Sequence, residues 1–269
     1  MKRIRMCSGA LLCGLSLLAA RPAFAIIALG TESPETIAPL SVESELTYES
    51  SHIGGTSPVT EGEFDVWIAT GLTKSLDIAA TIPYLTVNPD VGTTQSGLGD
   101  LKLDLKWHFL SENADRPSLA LKLGYLFTTG DDAKGLGEGV PEATLSVLAA
   151  KHFGPVGIFL NAGYTRVIST ESAETSDVPG AEGAAAPAEL TDIFSASLAG
   201  EWKLIEKLSL VREVAMETTE VKGESVTATG TLGAVYQMTK NFAVDAGIRA
   251  GLTNAAPDWA VLAGVKLSF

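Results

Sequence analysis

Acidic and basic side chains alternate with apolar ones in residues 100–109, which read DLKLDLKWHF. Asp100, Lys102, Asp104 and Lys106 share one parity, and the apolar side chains share the other. Successive side chains of a β-strand point to opposite faces, so this period of two predicts a strand with one charged and one apolar face. A wall of alternating charges can bias which ions or solutes pass along it, which makes these side chains candidate functional groups.

Catalytic and metal-binding constellations are not indicated by the sequence. No two of the three histidines, His52, His108 and His152, have the spacing of metal ligands. Ser51 and His52 are adjacent, which is not the geometry that a nucleophile and its general base require. We predict that the protein is not an enzyme and that it has no cofactor and no metal site.

The first 25 residues are typical of a secretory signal peptide. A basic start is followed by an apolar core without charge at residues 6–20 and by the cleavage motif AFA at residues 23–25. Both cysteines, Cys7 and Cys13, lie in this signal. The mature chain therefore has no thiol for a disulfide, a thiolate metal site or a nucleophile.

The composition is apolar and acidic at once. Hydrophobic residues make up 46% and charged residues 19% of the 269 residues, with a mean hydropathy of +0.23 and a net charge of -13. Removal of the signal takes four of the 19 basic residues away and leaves 15 against 32 acidic ones, a net charge of -17. This acidity argues against nucleic acid as a partner. The high apolar content indicates that something other than water solvates part of the surface.

The period of two recurs through the mature chain, where no segment has the roughly 18 consecutive apolar residues of a membrane helix. Connections after even-numbered strands are short, and those after odd-numbered strands are mostly long, as at residues 87–97, 129–141 and 167–190. Short turns at one end and long loops at the other are typical of outer-membrane barrels. We predict an all-β fold, a transmembrane antiparallel up-and-down β-barrel of about twelve strands. The predicted strands are residues 39–49, 62–72, 75–86, 98–110, 118–128, 142–153, 156–166, 191–204, 208–218, 224–238, 242–252 and 258–269.

Aromatic side chains fall near the two ends of the predicted strands, on the apolar parity. Amphipathic rings prefer the boundary between lipid and water, so two girdles are expected of a transmembrane barrel. In the mature chain only Trp67 and Phe159 lie on the other parity. The outer girdle comprises Tyr48, Phe64, Tyr84, Tyr125, Phe127, Tyr164, Phe194 and Trp259, and the periplasmic girdle comprises Trp107, Phe109, Phe153, Trp202, Tyr236, Phe242 and Phe269.

The charged residues on the inward parity of the strands line the predicted lumen, which is therefore the candidate site. Its acidic side chains outnumber its basic ones, which is compatible with a selective pore and with salt-bridge ladders that fill a narrow barrel. The candidate lumen-lining residues are Asp100, Lys102, Asp104, Lys106, Lys122, Glu201, Lys203, Glu213, Asp245, Arg249 and Lys266.

The domain organisation follows from these signals. We expect a signal peptide at residues 1–25, a periplasmic linker or small plug at residues 26–38, and the transmembrane barrel at residues 39–269. One side chain conflicts with this plan, because Arg212 falls on the lipid-facing parity of its strand. An arginine near the midplane costs about 2 to 4 kcal/mol. A bulge, a register shift or burial against an oligomer partner would each resolve the conflict.

Several turn and rim motifs occur along the chain. They are Gly71-Leu72-Thr73, Ile82-Pro83-Tyr84, Gly97-Leu98-Gly99-Asp100, Phe127-Thr128-Thr129-Gly130-Asp131, Phe153-Gly154-Pro155 and Gly251-Leu252-Thr253-Asn254. With these motifs, the chain from about Leu40 to Phe269 resembles the outer-membrane family named after the MetA pathway of phenol degradation, which is described as transporter-like. The resemblance implies a single barrel that takes part in the passage of small compounds, aromatic ones among them.

We therefore predict a passive channel or transporter for small molecules in the cell outer membrane, with aromatic or hydrophobic solutes as one option. The alternative is a structural or interaction barrel with an occluded lumen that works through its extracellular loops. Expected partners are the solute, outer-membrane lipids and lipopolysaccharide, and no nucleic acid. The last strand ends in Phe269, which resembles the signal that the barrel assembly machinery recognises.

Overall fold

Residues 30–55, 57–168, 192–219 and 225–269 are described by a computed structural model. The predicted signal and most of the loop at residues 167–190 lie outside this range. No helix in the described part is long and apolar enough to cross a membrane. The strands are β1 (Val42–Ile53), β2 (Val59–Thr73), β3 (Leu76–Pro89), β4 (Gln95–Leu98), β5 (Leu101–Leu110), β6 (Ser118–Phe127), β7 (Glu142–Phe153), β8 (Val156–Val167), β9 (Ile193–Ile205), β10 (Leu208–Glu217), β11 (Thr227–Thr239), β12 (Phe242–Gly251) and β13 (Trp259–Ser268).

The strands form one closed antiparallel barrel. Neighbours in sequence pair with each other, and β1 pairs with β13 from Glu43↔Ser268 to His52↔Trp259, which joins the two ends of the sheet. Within the described residues β4 pairs only with β3. It lies end to end with β5, which pairs with the other part of β3, so the two count as one strand of the barrel. Twelve strands therefore close the barrel, and the predicted fold is confirmed. We call the end with the short connections the turn end and the opposite end the loop end.

The predicted strand limits are close to the observed ones, but the predicted loop at residues 87–97 is wrong. There β3 continues to Pro89 and β4 begins at Gln95, so the segment is a hairpin. Strands β4 and β5 lie end to end along β3 and are separated opposite Pro83. The Pro83 carbonyl accepts a hydrogen bond from the Gly99 N–H at 2.9 Å. Proline has no N–H to return, which accounts for a break in the ladder at this point.

Apolar side chains cover the outside of the barrel. On β5, Leu103, Leu105 and Trp107 are 37 to 51% exposed, whereas His108 on the other parity is buried. Tyr48 and Tyr84 both pair with Phe64, and these three exposed rings form part of the predicted outer girdle. Lipid thus replaces water as the solvent of alternate residues, which explains how the mean hydropathy is positive without a long apolar segment.

Arg212 remains on the outer surface. A register irregularity lies between β9 and β10 at Leu208/Ser209, but Arg212 keeps the outward parity of its exposed neighbours Leu210 and Val214. It pairs with Gly200, and its Nε lies 3.3 Å from the position that a Cβ of Gly200 would occupy. The side chain therefore lies along the wall over a glycine, and the bulge does not turn it inward.

Candidate functional site: the barrel lumen

The chain before β1 lies inside the barrel. Residues 30–37, which we call the lumenal segment, run from the middle of the lumen to the turn end, where Leu40 reverses the chain with a φ of 65°. The Leu40 N–H donates to the Gly71 carbonyl at 3.0 Å. A Cβ on Gly71 would lie 2.5 Å from the Ile37 carbonyl oxygen, so glycine is required for this close approach.

Glu213 and Asn161 bind the backbone at the inner end of the lumenal segment. The Glu213 carboxylate accepts the N–H groups of Gly30 at 3.2 Å and Thr31 at 2.6 Å. The Asn161 carboxamide accepts the Glu32 N–H at 2.7 Å and donates to the Glu32 carbonyl at 3.1 Å. Glu213 is 4% exposed and Thr31 3%, so bulk water does not compete for these bonds.

Two lysines hold the next part of the lumenal segment. Lys122 of β6 donates to the Glu32 carboxylate, and Lys106 of β5 donates to the Ser33 carbonyl at 3.4 Å. Burial raises the pKa of Glu32, but Lys122, Lys106 and Lys102 outweigh it and hold the pKa below its ordinary value. The carboxylate is therefore charged at neutral pH, and its bond to Lys122 is charge-assisted.

The turn end of the lumenal segment is held by β3 and β6. Ser118 donates to the Glu35 carboxylate at 2.9 Å and lies 2.8 Å from the Nε2 atom of His108. The Ile37 N–H donates to the Asp77 carboxylate at 3.0 Å. Pro34 is among the fully buried side chains and Ile37 is 5% exposed. The lumenal segment is thus packed against the wall along its length.

Two cavities of similar size lie on either side of the lumenal segment. The loop-end cavity of about 500 Å³ has Gly30 and Glu32 in its lining together with hydroxyl side chains such as Thr144 and Ser195. The turn-end cavity of about 520 Å³ has Ser33 and Glu35 in its lining. The lumenal segment therefore separates two polar compartments of the lumen.

Ion pairs join strands elsewhere on the inner wall. Lys266 of β13 lies 2.7 Å from Glu43 and 3.2 Å from Glu45 on the neighbouring β1. Arg249 of β12 reaches past β13 and donates to Glu49 of β1 at 2.8 Å. These contacts form the cross-strand ladders that narrow barrels use to fill their interior.

The remaining predicted residues are distributed over the wall. Glu201 accepts the Ser209 hydroxyl at 2.6 Å, and Lys203 lines the turn-end cavity. Lys102 lines the loop-end cavity. In the described part of the chain, one oxygen of Asp104 and both oxygens of Asp245 are buried without a hydrogen-bond partner. No group of three or more histidine or acidic residues in that part is arranged to hold a metal ion.

Asp100 ties down a loop at the loop end. Its carboxylate accepts the N–H groups of Gly130 and Glu138, each at 2.7 Å, and it is 7% exposed. A Cβ on Gly137 would lie 2.8 Å from the same carboxylate. Leu136 is 3% exposed and packs close to Gly97. The loop between β6 and β7 is therefore fixed to the junction of β4 and β5.

We expect Asp100→Ala to release this loop without opening the barrel. The substitution leaves two N–H groups without an acceptor, each at a cost of about 1 to 3 kcal/mol, while no strand pairing changes. Trypsin cleavage of the protein in liposomes after Lys134, which lies in the loop, should become several times faster. Asp115→Asn, in an exposed turn at the other end, is the matched control. An unchanged cleavage rate would show that Asp100 does not hold the loop.

Sequence reasoning found some of the groups that hold the lumenal segment and missed others. Lys106, Lys122 and Glu213 were candidates from their parity and charge, and all three contact the segment. Asn161 and Ser118 were not candidates, because an uncharged polar residue on a strand has no special signal. A neutral amide on the inward parity of β8 could have been noticed as a group that binds a peptide unit.

Similar solved structures are outer-membrane barrels. The COG4313 outer membrane channel from Pseudomonas putida F1 has a TM-score of 0.72 and 16% identity, over 87% of this chain and 97% of that chain. The KdgM porin has a TM-score of 0.54 and 7% identity, over 86% of this chain and 99% of that one. The NanC porin has a TM-score of 0.54 and 8% identity, over 84% and 98%.

The closed barrel with its apolar outer face places the protein in the outer membrane, as predicted. The similar structures bear the names of channels and porins, and the absence of enzyme activity stays a prediction. No curated protein matches the chain. A family model described as "Putative MetA-pathway of phenol degradation" matches residues 54–269, and the chain belongs to this family, as its turn and rim motifs predicted.

Proposed function

We propose that the protein is a passive channel for small solutes across the outer membrane. The observation that carries this proposal is the polar lumen, which holds two cavities of about 500 and 520 Å³ on either side of the lumenal segment. The similar structures named as channels and porins support the same role. A barrel with a charged, hydroxyl-lined interior offers polar solutes replacements for their bonds to water.

The lining favours polar solutes over aromatic ones. Thr144, Ser146, Thr165, Ser195 and Ser197 all line the loop-end cavity. Most aromatic rings lie on the outward parity, and Phe159, which faces inward and lines the turn-end cavity, is only 3% exposed within an apolar cluster. We therefore place hydrophilic solutes before aromatic compounds as the solutes of this channel, because hydrocarbon rings gain little from hydroxyl and charged groups.

Planar bilayers test the channel directly. We expect single-channel conductance steps, and in a KCl gradient a reversal potential of the cation-selective sign, because inward acidic side chains outnumber basic ones. Glu63 and Asp65 share the inward parity of β2 with the buried Ala69, and neutralising both together should reduce this selectivity. Asp115→Asn, in the exposed turn between β5 and β6, is the control. Anion selectivity or a reversal potential of zero would contradict the assignment of the acidic residues to the lumen.

The position of the lumenal segment also supports the second candidate, a structural or interaction barrel with an occluded lumen. The segment fills the space between the two cavities and is held by contacts with β3, β5, β6, β8 and β10. Absence of conductance in the native protein and in a variant without this segment would favour that candidate and exclude the channel.

We also propose two partners from the chain's outer surface and last strand. The Phe269 N–H donates to the Val42 carbonyl at 2.8 Å, so the last residue closes the seam between β1 and β13. This position supports recognition of the C-terminal strand by the barrel assembly machinery before closure. The exposed rings of the outer girdle, such as Tyr48 and Phe64, support contact with lipopolysaccharide.

A further inference from the structure

Side chains of the barrel wall hold the lumenal segment largely through the peptide groups of the segment. Glu213 accepts two backbone N–H groups, Asn161 accepts the Glu32 N–H and donates to the Glu32 carbonyl, and Asp77 accepts the Ile37 N–H. Lys106 donates to the Ser33 carbonyl. Contacts of this kind recognise the peptide groups of a bound segment, which every residue carries.

The same wall also selects acidic side chains. Lys122 pairs with Glu32, and the Ser118 hydroxyl donates to Glu35. Both of these side-chain acceptors on the segment are carboxylates, and Lys106 lies near the Glu32 carboxylate. Because these donors are on different strands of a rigid barrel, their spacing is fixed before any ligand arrives.

We propose that the inner wall is a binding site for short acidic peptides, which it holds in exchange with the chain's own residues 30–37. The inference rests on the proposed channel function and deepens it by naming a class of solute. The attached segment occupies the site at a high effective concentration, so a free peptide competes only when the segment is loosened or the peptide is concentrated.

The first test weakens the attached segment in the full chain. Thr31→Pro and Ile37→Pro together remove one N–H that Glu213 binds and the N–H that Asp77 binds. The probe is the end-blocked peptide TESPETI, the sequence of residues 31–37, carrying a fluorophore. We expect saturable binding to this variant in detergent, measured by fluorescence anisotropy.

Two control peptides separate specific binding from adsorption. N-methylation of the first and last residues removes the same two N–H groups, and TKSPETI replaces the carboxylate that Lys122 binds. Each should bind about tenfold more weakly. Lys122→Met in the wall should weaken binding of TESPETI, whereas Arg166→Leu on the outer surface should not. Equal binding of all three peptides, or no binding to a folded variant, would overturn the proposal.

A second test uses the chain with its segment otherwise unchanged and does not depend on the proline variant. In a protein expressed without residues 1–25, Ser33→Cys introduces a single thiol, because both cysteines of the sequence, Cys7 and Cys13, lie in that predicted signal. Excess TESPETI should displace the segment and speed maleimide labelling of this thiol several-fold, and the N-methylated peptide should not. An equal labelling rate with and without TESPETI would exclude exchange between the peptide and the segment. These readouts do not require conductance, so a protein that conducts but does not bind the peptide refutes this inference alone.

Discussion

A variant lacking residues 30–38 is expected to conduct several times more current than the native protein. The native segment lies between the two lumenal cavities, and its removal would join them into one continuous path. The barrel should persist, because the ladders between β1 and β13 and between β1 and β2 begin after residue 41. Conductance grows with the narrowest cross-section of a pore, and this segment lies across the lumen where two cavities would otherwise meet.

The measurement is single-channel recording in planar bilayers, with heat-modifiable gel mobility as the check on folding. Thr36→Ala is the matched control. It keeps the segment and removes only a hydroxyl that donates to the Lys74 carbonyl at the turn end, at 3.0 Å. We expect its conductance to equal that of the native protein. A folded deletion variant with native conductance would mean that the segment does not limit the flow of ions.

Replacement of Arg212 by leucine is expected to stabilise the barrel by about 2 kcal/mol, because an arginine on the lipid face costs this much when it is away from the interfaces. Arg212 is the fifth of the ten residues of β10, and it is exposed on the outer wall. Gly200 leaves room for the side chain, because a Cβ there would lie 3.3 Å from the Arg212 Nε. Leucine would replace an ion with a side chain that lipid solvates well.

Reversible unfolding in phospholipid vesicles, followed by tryptophan fluorescence, gives the free energy of unfolding for this comparison. Arg166→Leu is the control. Arg166 also faces outward, but it lies at the loop end of β8 and donates to Asp192 at 2.8 Å. Its replacement should give no gain in stability. A loss of stability in Arg212→Leu would mean that the guanidinium has a partner in the membrane, such as a lipid phosphate or a second copy of the chain.

The strands could be predicted because lipid imposes a simple rule on the sequence. One face of each strand must be apolar and the next residue faces the lumen, so the period of two is strong and continuous. Strand β7 was predicted at residues 142–153 and is observed at Glu142–Phe153. Large errors at connections, in the hairpins between β1 and β2 and between β3 and β4, occur where the strands extend past the aromatic girdle. There the lipid no longer constrains the outward residues, and the alternation weakens.

The role of individual lumenal charges could not be predicted in the same way. Parity identified Asp100 as an inward acid, but the structure uses its carboxylate to hold the backbone of a loop 30 to 38 residues further along the chain. Arg212 shows the opposite case, because parity alone placed it on the outside and the structure keeps it there. Which polar groups meet depends on the three-dimensional arrangement of strands and loops.

The sequence by itself determined the all-β barrel of twelve strands, the two aromatic girdles and the acidic lumen, because each depends on the type and period of residues in one segment. The export signal at residues 1–25 stays a prediction. Only the tertiary structure decided what occupies that lumen. Residues 30–37 have no strand period, and their partners, among them Asp77, Lys122, Asn161 and Glu213, lie 40 to 183 positions away. Lys122 pairs with the Glu32 carboxylate, but the contacts of Asp77, Asn161 and Glu213 named here are hydrogen bonds to peptide groups. Every residue carries such groups, so these contacts leave no mark in the sequence of the segment.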